Sequence, residues 1–299
     1  MAPSIRRTPL LPLEGARMPC SMHLKLESLQ PIGSFKLRGA ANAMALADGK
    51  ALQRGVYTGS AGNMAQGIAY AARERGIACR VIVPETAPET KIRAIEHLGA
   101  TCVPVPYEEW WSILQNHGDP EEPGFFIHPV ADASVIAGNG TIGLEILEDL
   151  PEVDAVVVPF GGGGLSCGIA SAVKAARPDV RVFAAEVETA APFAASLRAG
   201  APMSIERVPS FVDGIGGSSV LPEMWPLASN LLDGSIVVGL EEVRNAVRML
   251  VRDSRIVAEG AGAAALAAAL TGAAGGGTVA VVISGGNIDA SVLADILSK

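Results

Sequence analysis

Lys36 lies in the run Pro31-Ile32-Gly33-Ser34-Phe35-Lys36-Leu37-Arg38-Gly39-Ala40. It is one of six lysines, set against seventeen arginines, so an apolar-flanked lysine is uncommon in this chain. Gly33-Ser34 reads as a turn with an N-cap, which puts Lys36 in the first turn of a helix. The positive end of the helix dipole disfavours a second positive charge and lowers a lysine's pKa there. An amine partly neutral near pH 7 can attack a carbonyl and form a Schiff base. A surface lysine beside a helix start accounts for the pattern equally well.

Three further segments have the composition of ligand loops. Ser60-Ala61-Gly62-Asn63-Met64-Ala65-Gln66-Gly67 follows an apolar stretch and opens a helical one. Small residues let backbone amides approach an anion such as a carboxylate at the helix start. An ordinary capped turn is the alternative. Gly161-Gly162-Gly163-Gly164-Leu165 also separates a buried strand from a helix. Four glycines can wrap amide donors around a phosphate. A dinucleotide loop is the rival, with Glu186 as its ribose acid, but Ser166 and Cys167 stand where G-x-G-x-x-G needs a glycine. There is no Gly-Lys-Ser/Thr either, so a small phosphate-bearing cofactor is favoured. Last, Ser284-Gly285-Gly286-Asn287 places a hydroxyl at a strand end. A hydroxyl there can hydrogen-bond a ring nitrogen without forcing its protonation, although a simple turn explains the segment too.

The elements needed to position these loops alternate strand and helix, the pattern of an α/β protein with largely parallel sheets. Strands are expected at 56–60, 78–83 and 101–105, with helices at 63–76 and 88–99 between them. Residues 110–124 read as an irregular connection. A second series has strands at 155–159, 181–187, 236–238 and 278–283. Its helices are expected at 165–177, 241–253 and 261–270, and from Asp289. Two lobes with a cleft between them follow, and ligands in such folds gather at the carboxyl ends of the strands.

Composition removes other classes. The net charge of −8 and the lack of a Lys/Arg cluster argue against nucleic acid. Cys20, Cys79, Cys102 and Cys167 form no C-x-x-C pair, so zinc is not expected and reduced cytosolic thiols are. Residues 259–270 are too short and small to span a bilayer. Met1–Gly15 has no apolar segment of leader length, so a soluble cytoplasmic protein is expected.

Taken in order, the four segments resemble the fold type II pyridoxal-phosphate enzymes, in the branch of the serine/threonine dehydratases and serine racemases. The likeness runs from Thr8-Pro9-Leu10 through His128-Pro129, Gly138-Asn139-Gly140-Thr141, Asp213-Gly214 and Glu259-Gly260-Ala261-Gly262-Ala263 to Asn287. It implies that Lys36 carries pyridoxal 5′-phosphate as a Schiff base and moves the substrate's Cα proton, with Phe35 beside the ring. Asn63 would meet the cofactor's 3-hydroxyl, Gly161 to Gly164 and Leu165 its phosphate, and Ser284 its ring nitrogen. Ser60, Asn63 and the Met64 amide would hold the substrate carboxylate, with Gly214 and Glu259 as possible support. The implied reaction is β-elimination from an amino acid such as L-threonine or L-serine, giving a 2-oxo acid and ammonia.

The resemblance also carries departures. Ala61 stands where racemases usually carry the serine that serves the opposite face of Cα, and a methyl group cannot relay a proton. A dehydratase is therefore preferred over a racemase. Met64 replaces a common histidine and Asn139 a common glutamine; the first implies a more apolar pocket lip and leaves a phenylserine-type substrate open. Pro192 replaces an acid of the cation site some relatives carry, so no metal is expected and Glu186 is read as structural. The expected division is a large cofactor-binding domain of residues 1–54 and 130–299, a small mobile domain of residues 55–129, and no C-terminal regulatory domain. A homodimer is implied. A dinucleotide-dependent oxidoreductase remains the reading from a different class.

Overall fold

The computed structural model describes residues 5–14 and 18–299; part of Met1–Gly15, where no leader is expected, lies outside them. The chain opens with β1 (Leu10–Leu13), β2 (Ser21–Leu26), α1 (Lys36–Leu46) and α2 (Gly49–Leu52). Next come β3 (Val56–Gly59), α3 (Asn63–Arg73), β4 (Cys79–Pro84), α4 (Glu89–His97), β5 (Thr101–Val105), α5 (Tyr107–Gln115) and β6 (Phe125–Phe126). The helix α6 (Ala133–Asp149) leads to β7 (Ala155–Pro159), α7 (Gly164–Ala176), β8 (Arg181–Val187) and α8 (Pro192–Ala199). The last elements are α9 (Trp225–Leu231), β9 (Gly234–Val238), α10 (Leu240–Met249), α11 (Gly260–Leu270), β10 (Thr278–Ile283) and α12 (Ala290–Ser298).

Two compact units result. Among the described residues, the first gathers Ile5 and Arg6 with Gln30–Asn139, and the second Arg7–Leu29 with Gly140–Lys299. The first unit thus takes in residues 30–54 and 130–139 besides 55–129. The reason is packing: Leu37, Ala40 and Met44 of α1 share one buried cluster with Met64, Ile68 and Ala72 of α3 and with Val81 and Val83 of β4. A helix that completes the core of the smaller sheet belongs with it.

The first unit has a parallel sheet in the order β5-β4-β3-β6. Side chains alternate across it, as strand geometry demands. Val81 and Val83 enter the cluster with α1 and α3, whereas Ile82 joins Tyr57, Val105 and Ile113 on the other face. Ile113 belongs to α5, so residues 110–115, expected to be irregular, are helical. Burial of Ile113 and Leu114 outweighs the polar residues that follow.

The second unit has a six-stranded sheet in the order β1-β2-β10-β7-β8-β9, parallel except for the β1–β2 pair. Against it lies α11, buried at every residue from Gly260 to Ala269. A helix of alanine and glycine is thin enough to pass through a core, which accounts for the apolar run without a membrane. The helix expected over 241–253 ends at Met249 and gives way to a π turn over Leu250–Ser254.

Sequence reading placed no element at α6. Gly138, Gly140 and Gly143 each cost a helix about 1 kcal/mol relative to alanine. Tertiary contact repays this: a Cβ on Gly138 would stand 2.6 Å from Arg38 O in the first unit, and one on Gly140 2.8 Å from Gly168 O in the second. The glycines are where helices meet backbone to backbone.

Candidate active site

The first unit carries the lysine. Helix α1 begins at Lys36, with Phe35 rather than Ser34 in the N-cap position. Ser34 still serves the helix start, because its Oγ accepts the Lys36 backbone N–H at 3.4 Å. The Lys36 Nζ donates to Pro129 O at 3.0 Å and lies 5.2 Å from the centre of the Phe35 ring. Behind it, a Cβ on Gly67 would stand 3.1 Å from Lys36 O. Gly67 therefore lets α3 press directly on the first residue of α1.

The loop after β3 is shaped by its own small residues. Ser60 donates its N–H to Ile82 O at 3.1 Å, and its Oγ accepts the Gly62 N–H at 3.2 Å. Helix α3 starts at Asn63 with Gly62 in the N-cap position. The first amides of a helix have no partner within it, so this loop can receive a carboxylate on backbone donors. Met64 departs from expectation. Its side chain is buried in the core cluster with Ala65 and Ile68, not at a pocket lip. The second position of α3 points at the sheet, so the substitution for histidine is a packing choice.

The second unit carries the glycines and the serine. The loop Gly161–Gly163 runs from β7 to α7, with Gly163 at φ +93°, a left-handed conformation that favours glycine. A Cβ on Gly161 would stand 3.3 Å from Gly214 O, and one on Gly214 3.7 Å from Glu259 Oε1. Glu259 is the N-cap residue of α11 and donates its N–H to Gly285 O at 3.0 Å. A Cβ on Gly262 would stand 2.8 Å from Gly285 O and 3.3 Å from Ser284 N. Gly161, Gly214, Glu259 and Ser284, scattered along the sequence, thus form one continuous wall. Leu165 and Ser284 are both buried in it.

Glu186 lies elsewhere and is fully occupied. Its Oε1 accepts the Phe193 N–H at 2.8 Å, and its Oε2 accepts the Ala194 N–H at 2.7 Å and the Ser235 hydroxyl at 2.5 Å. The carboxylate caps α8, whose first residue is the Pro192 that stands in place of an acid. Burial pushes the Glu186 carboxyl above the usual carboxylate range, against the pull of these hydrogen bonds.

These residues fit pyridoxal phosphate. An aldehyde requires a primary amine, which Lys36 offers at a helix start. A phosphate requires backbone donors free of side chains, and Gly161–Gly163 lead with no side chain into the N-terminus of α7 at Gly164. Sequence reading missed Gly67 and the Pro129 carbonyl, whose partner Lys36 is distant in the chain. Gly67 at the end of the Ser60–Gly67 segment and the His128-Pro129 pair were their only traces.

Comparison with known proteins agrees. Residues 1–285 match the family described as pyridoxal-phosphate dependent enzyme. The chain belongs to that family, and its cofactor is pyridoxal 5′-phosphate. Within it, the L-threonine ammonia-lyase of Thermotoga maritima is 41% identical over 285 residues, 93% of this chain and 70% of that one. A serine racemase of Oryza sativa is 33% identical over 311 residues, 100% of this chain and 91% of its own. Among solved structures, maize serine racemase aligns with a TM-score of 0.88 at 31% identity, covering 99% of this chain and 93% of the other. The dinucleotide reading falls with this membership.

Proposed function

We propose that this chain is an ammonia-lyase that converts a β-hydroxy amino acid, L-threonine first, to a 2-oxo acid and ammonia. The single observation that favours elimination over racemisation is Ala61, a methyl group in the carboxylate loop between Ser60 and Gly62. Racemisation needs a proton donor on each face of Cα. A second base at this position is missing.

When bound, pyridoxal phosphate supplies an electron-accepting ring that stabilises a carbanion at the substrate's Cα. The residues of the chain do the rest. Lys36 would attach the cofactor through Nζ and, once released from it, would take the Cα proton. Phe35 would pack beside the ring, and Asn63 would donate to its hydroxyl. The amides of Gly161 to Gly164 and Leu165 would hold the phosphate at the N-terminus of α7. Ser284 would face the ring nitrogen as a neutral hydroxyl that adds no charge to it. Ser60, Asn63 and the Met64 amide hold the substrate carboxylate, while Gly214 and Glu259 keep the glycine loop in place. L-Serine is read as a second substrate, because one methyl group in an apolar pocket discriminates by only about 1–3 kcal/mol.

Among the described residues no helix is long and apolar enough to cross a membrane, and all four cysteines are free thiols. A cytoplasmic location is the expectation from cysteine usage, and cell fractionation tests it. The homodimer implied by the resemblance is tested by light scattering.

The decisive experiment offers L-threonine, L-serine, L-threo-phenylserine and their D-isomers to the purified holoenzyme and measures 2-oxo acid. Release from an L-isomer that vanishes in Lys36→Ala is the expected result. A cofactor-loaded protein that releases none refutes the elimination reading. The racemase reading, favoured by the likeness to the rice enzyme, then predicts D-amino acid in recovered substrate.

A further inference from the structure

The Pro129 carbonyl that accepts from Lys36 does not hold its place by chance of the loop. His128, 5% exposed, turns Nδ1 back onto the chain and accepts the N–H groups of Val130 at 3.1 Å and Ala131 at 2.8 Å. Both partners are donors, so Nδ1 keeps its lone pair and Nε2 carries the ring hydrogen. The imidazole thereby acts as an asparagine oxygen does when it caps the amides two and three residues ahead. The residue enclosed by that turn is Pro129, whose φ is restrained by its own ring.

The imidazole is itself clamped. His117 stacks on it with ring centres 4.7 Å apart and planes 26° apart, and Phe126 meets it edge-on at 6.1 Å. His117 adopts φ +53°, a left-handed conformation that favours glycine, just beyond the end of α5. The conformation belongs to the cap that closes α5, in which His117 donates its N–H to Leu114 O at 3.2 Å and Gly118 donates its N–H to Ile113 O at 2.9 Å. His117 thus serves two purposes, ending α5 and covering one face of the His128 ring.

We infer that His128 is a positioning residue for Lys36. Its Nδ1 closes the His128–Ala131 turn, the turn aims the Pro129 carbonyl at Lys36 Nζ, and the carbonyl sets the direction of the amine. A neutral amine has two hydrogens and one lone pair. With one hydrogen given to a fixed carbonyl, the lone pair sweeps a restricted arc. That restriction serves both attack on the cofactor's aldehyde and removal of the Cα proton. The inference rests on the reading of Lys36 as the attachment residue.

The test is a pair of polar variants that differ in reach. Asparagine places its oxygen near the site of Nδ1, whereas glutamine carries it one bond further, near Nε2, out of line with both amides. Cofactor-free protein is mixed with pyridoxal phosphate, and the rise of the visible absorbance of the lysine-bound form is timed. His128→Asn is expected to attach the cofactor at nearly the parental rate. His128→Gln is expected to be slower by roughly 10–100-fold, the penalty typical of a reacting group misplaced by about 1 Å. Steady-state kinetics on the holoenzymes add a second readout, with kcat falling in the glutamine variant and KM for L-threonine nearly unchanged.

His117→Gly suits the left-handed cap at the end of α5 and removes the ring that stacks on His128. It is expected to melt no lower than the parent and still to attach the cofactor more slowly. Parental attachment in His128→Gln overturns the inference, whatever His117→Gly does. Equal slowing in the asparagine and glutamine variants also overturns it, because the acceptor at Nδ1 is then not what matters. Lys36→Ala separates the two levels of argument. If it still forms the coloured product, the reading of Lys36 fails and the inference with it. If it forms none while His128→Gln behaves as the parent, only the inference fails.

Discussion

Replacing Gly67 with alanine sets two effects of known size against each other. Gly67 sits inside α3, where alanine is favoured over glycine by about 1 kcal/mol. The new Cβ, however, would stand 3.1 Å from Lys36 O, 3.2 Å from Lys36 C and 3.3 Å from Leu37 N, all of them backbone atoms. Backbone cannot rotate away, so α1 and α3 must part by a few tenths of an ångström. Overpacking of this kind costs about 1–3 kcal/mol. The balance is a loss of about 0–2 kcal/mol, a small part of the roughly 5–15 kcal/mol that keeps a domain folded. Function should suffer more than stability, because the residue pushed is Lys36 and reacting groups tolerate little displacement. We expect the melting temperature to move by only a few degrees, with 2-oxo acid release from L-threonine and cofactor attachment each falling roughly tenfold. Absorbance titration with pyridoxal phosphate, coupled 2-oxo acid detection and calorimetry measure the three quantities. A Gly67→Ala protein that melts higher and keeps parental attachment and turnover would refute the claim that α3 sets the position of Lys36.

Other perturbations probe the frame. Lys25 is fully buried and donates to Glu145 Oε2 at 2.6 Å and to Thr8 O at 2.7 Å. Lys25→Met leaves a buried carboxylate without its partner and should cost about 3–5 kcal/mol in urea unfolding, most of it recovered in Lys25→Met/Glu145→Leu. Glu186→Gln replaces one of the acceptors at the start of α8 with a donor and should cost about 1–3 kcal/mol. Burial raises the folded pKa of Glu186, so its contribution is present below the ordinary carboxylate range and lost as pH rises through the raised value. The cost of Glu186→Gln should accordingly shrink between acid and mildly basic pH, and unfolding curves in which it grows contradict this. Burial pushes the Cys79 and Cys167 thiols up to about 12. A thiol reagent at pH 8 should label Cys20 and Cys102 in the native protein and all four cysteines in denaturant, with peptide mapping as the check.

How much of this was legible in the chain varies by element. Strands β7, β8 and β10 are found at the residues expected, because a buried parallel strand is a continuous apolar run bounded by turn residues; β5 is also found where expected, although only its Val105 is buried. The α/β class, Lys36 at a helix start and the glycine loop ahead of α7 follow from residue type and spacing alone. These are local properties: a turn, a cap or an apolar run is complete within a dozen residues. Tertiary structure decided the rest. It made α6 a helix in spite of three glycines, since contacts with Arg38 and Gly168 outweigh propensity. It moved α1 into the smaller unit, because its apolar face completes the core around α3. It turned Met64 inward and committed Glu186 to α8. Above all, it brought the Pro129 carbonyl to Lys36 and gave His128 a backbone turn to close. No periodicity in a sequence records a hydrogen bond between residues so far apart, because that bond exists only after the core beneath them has packed.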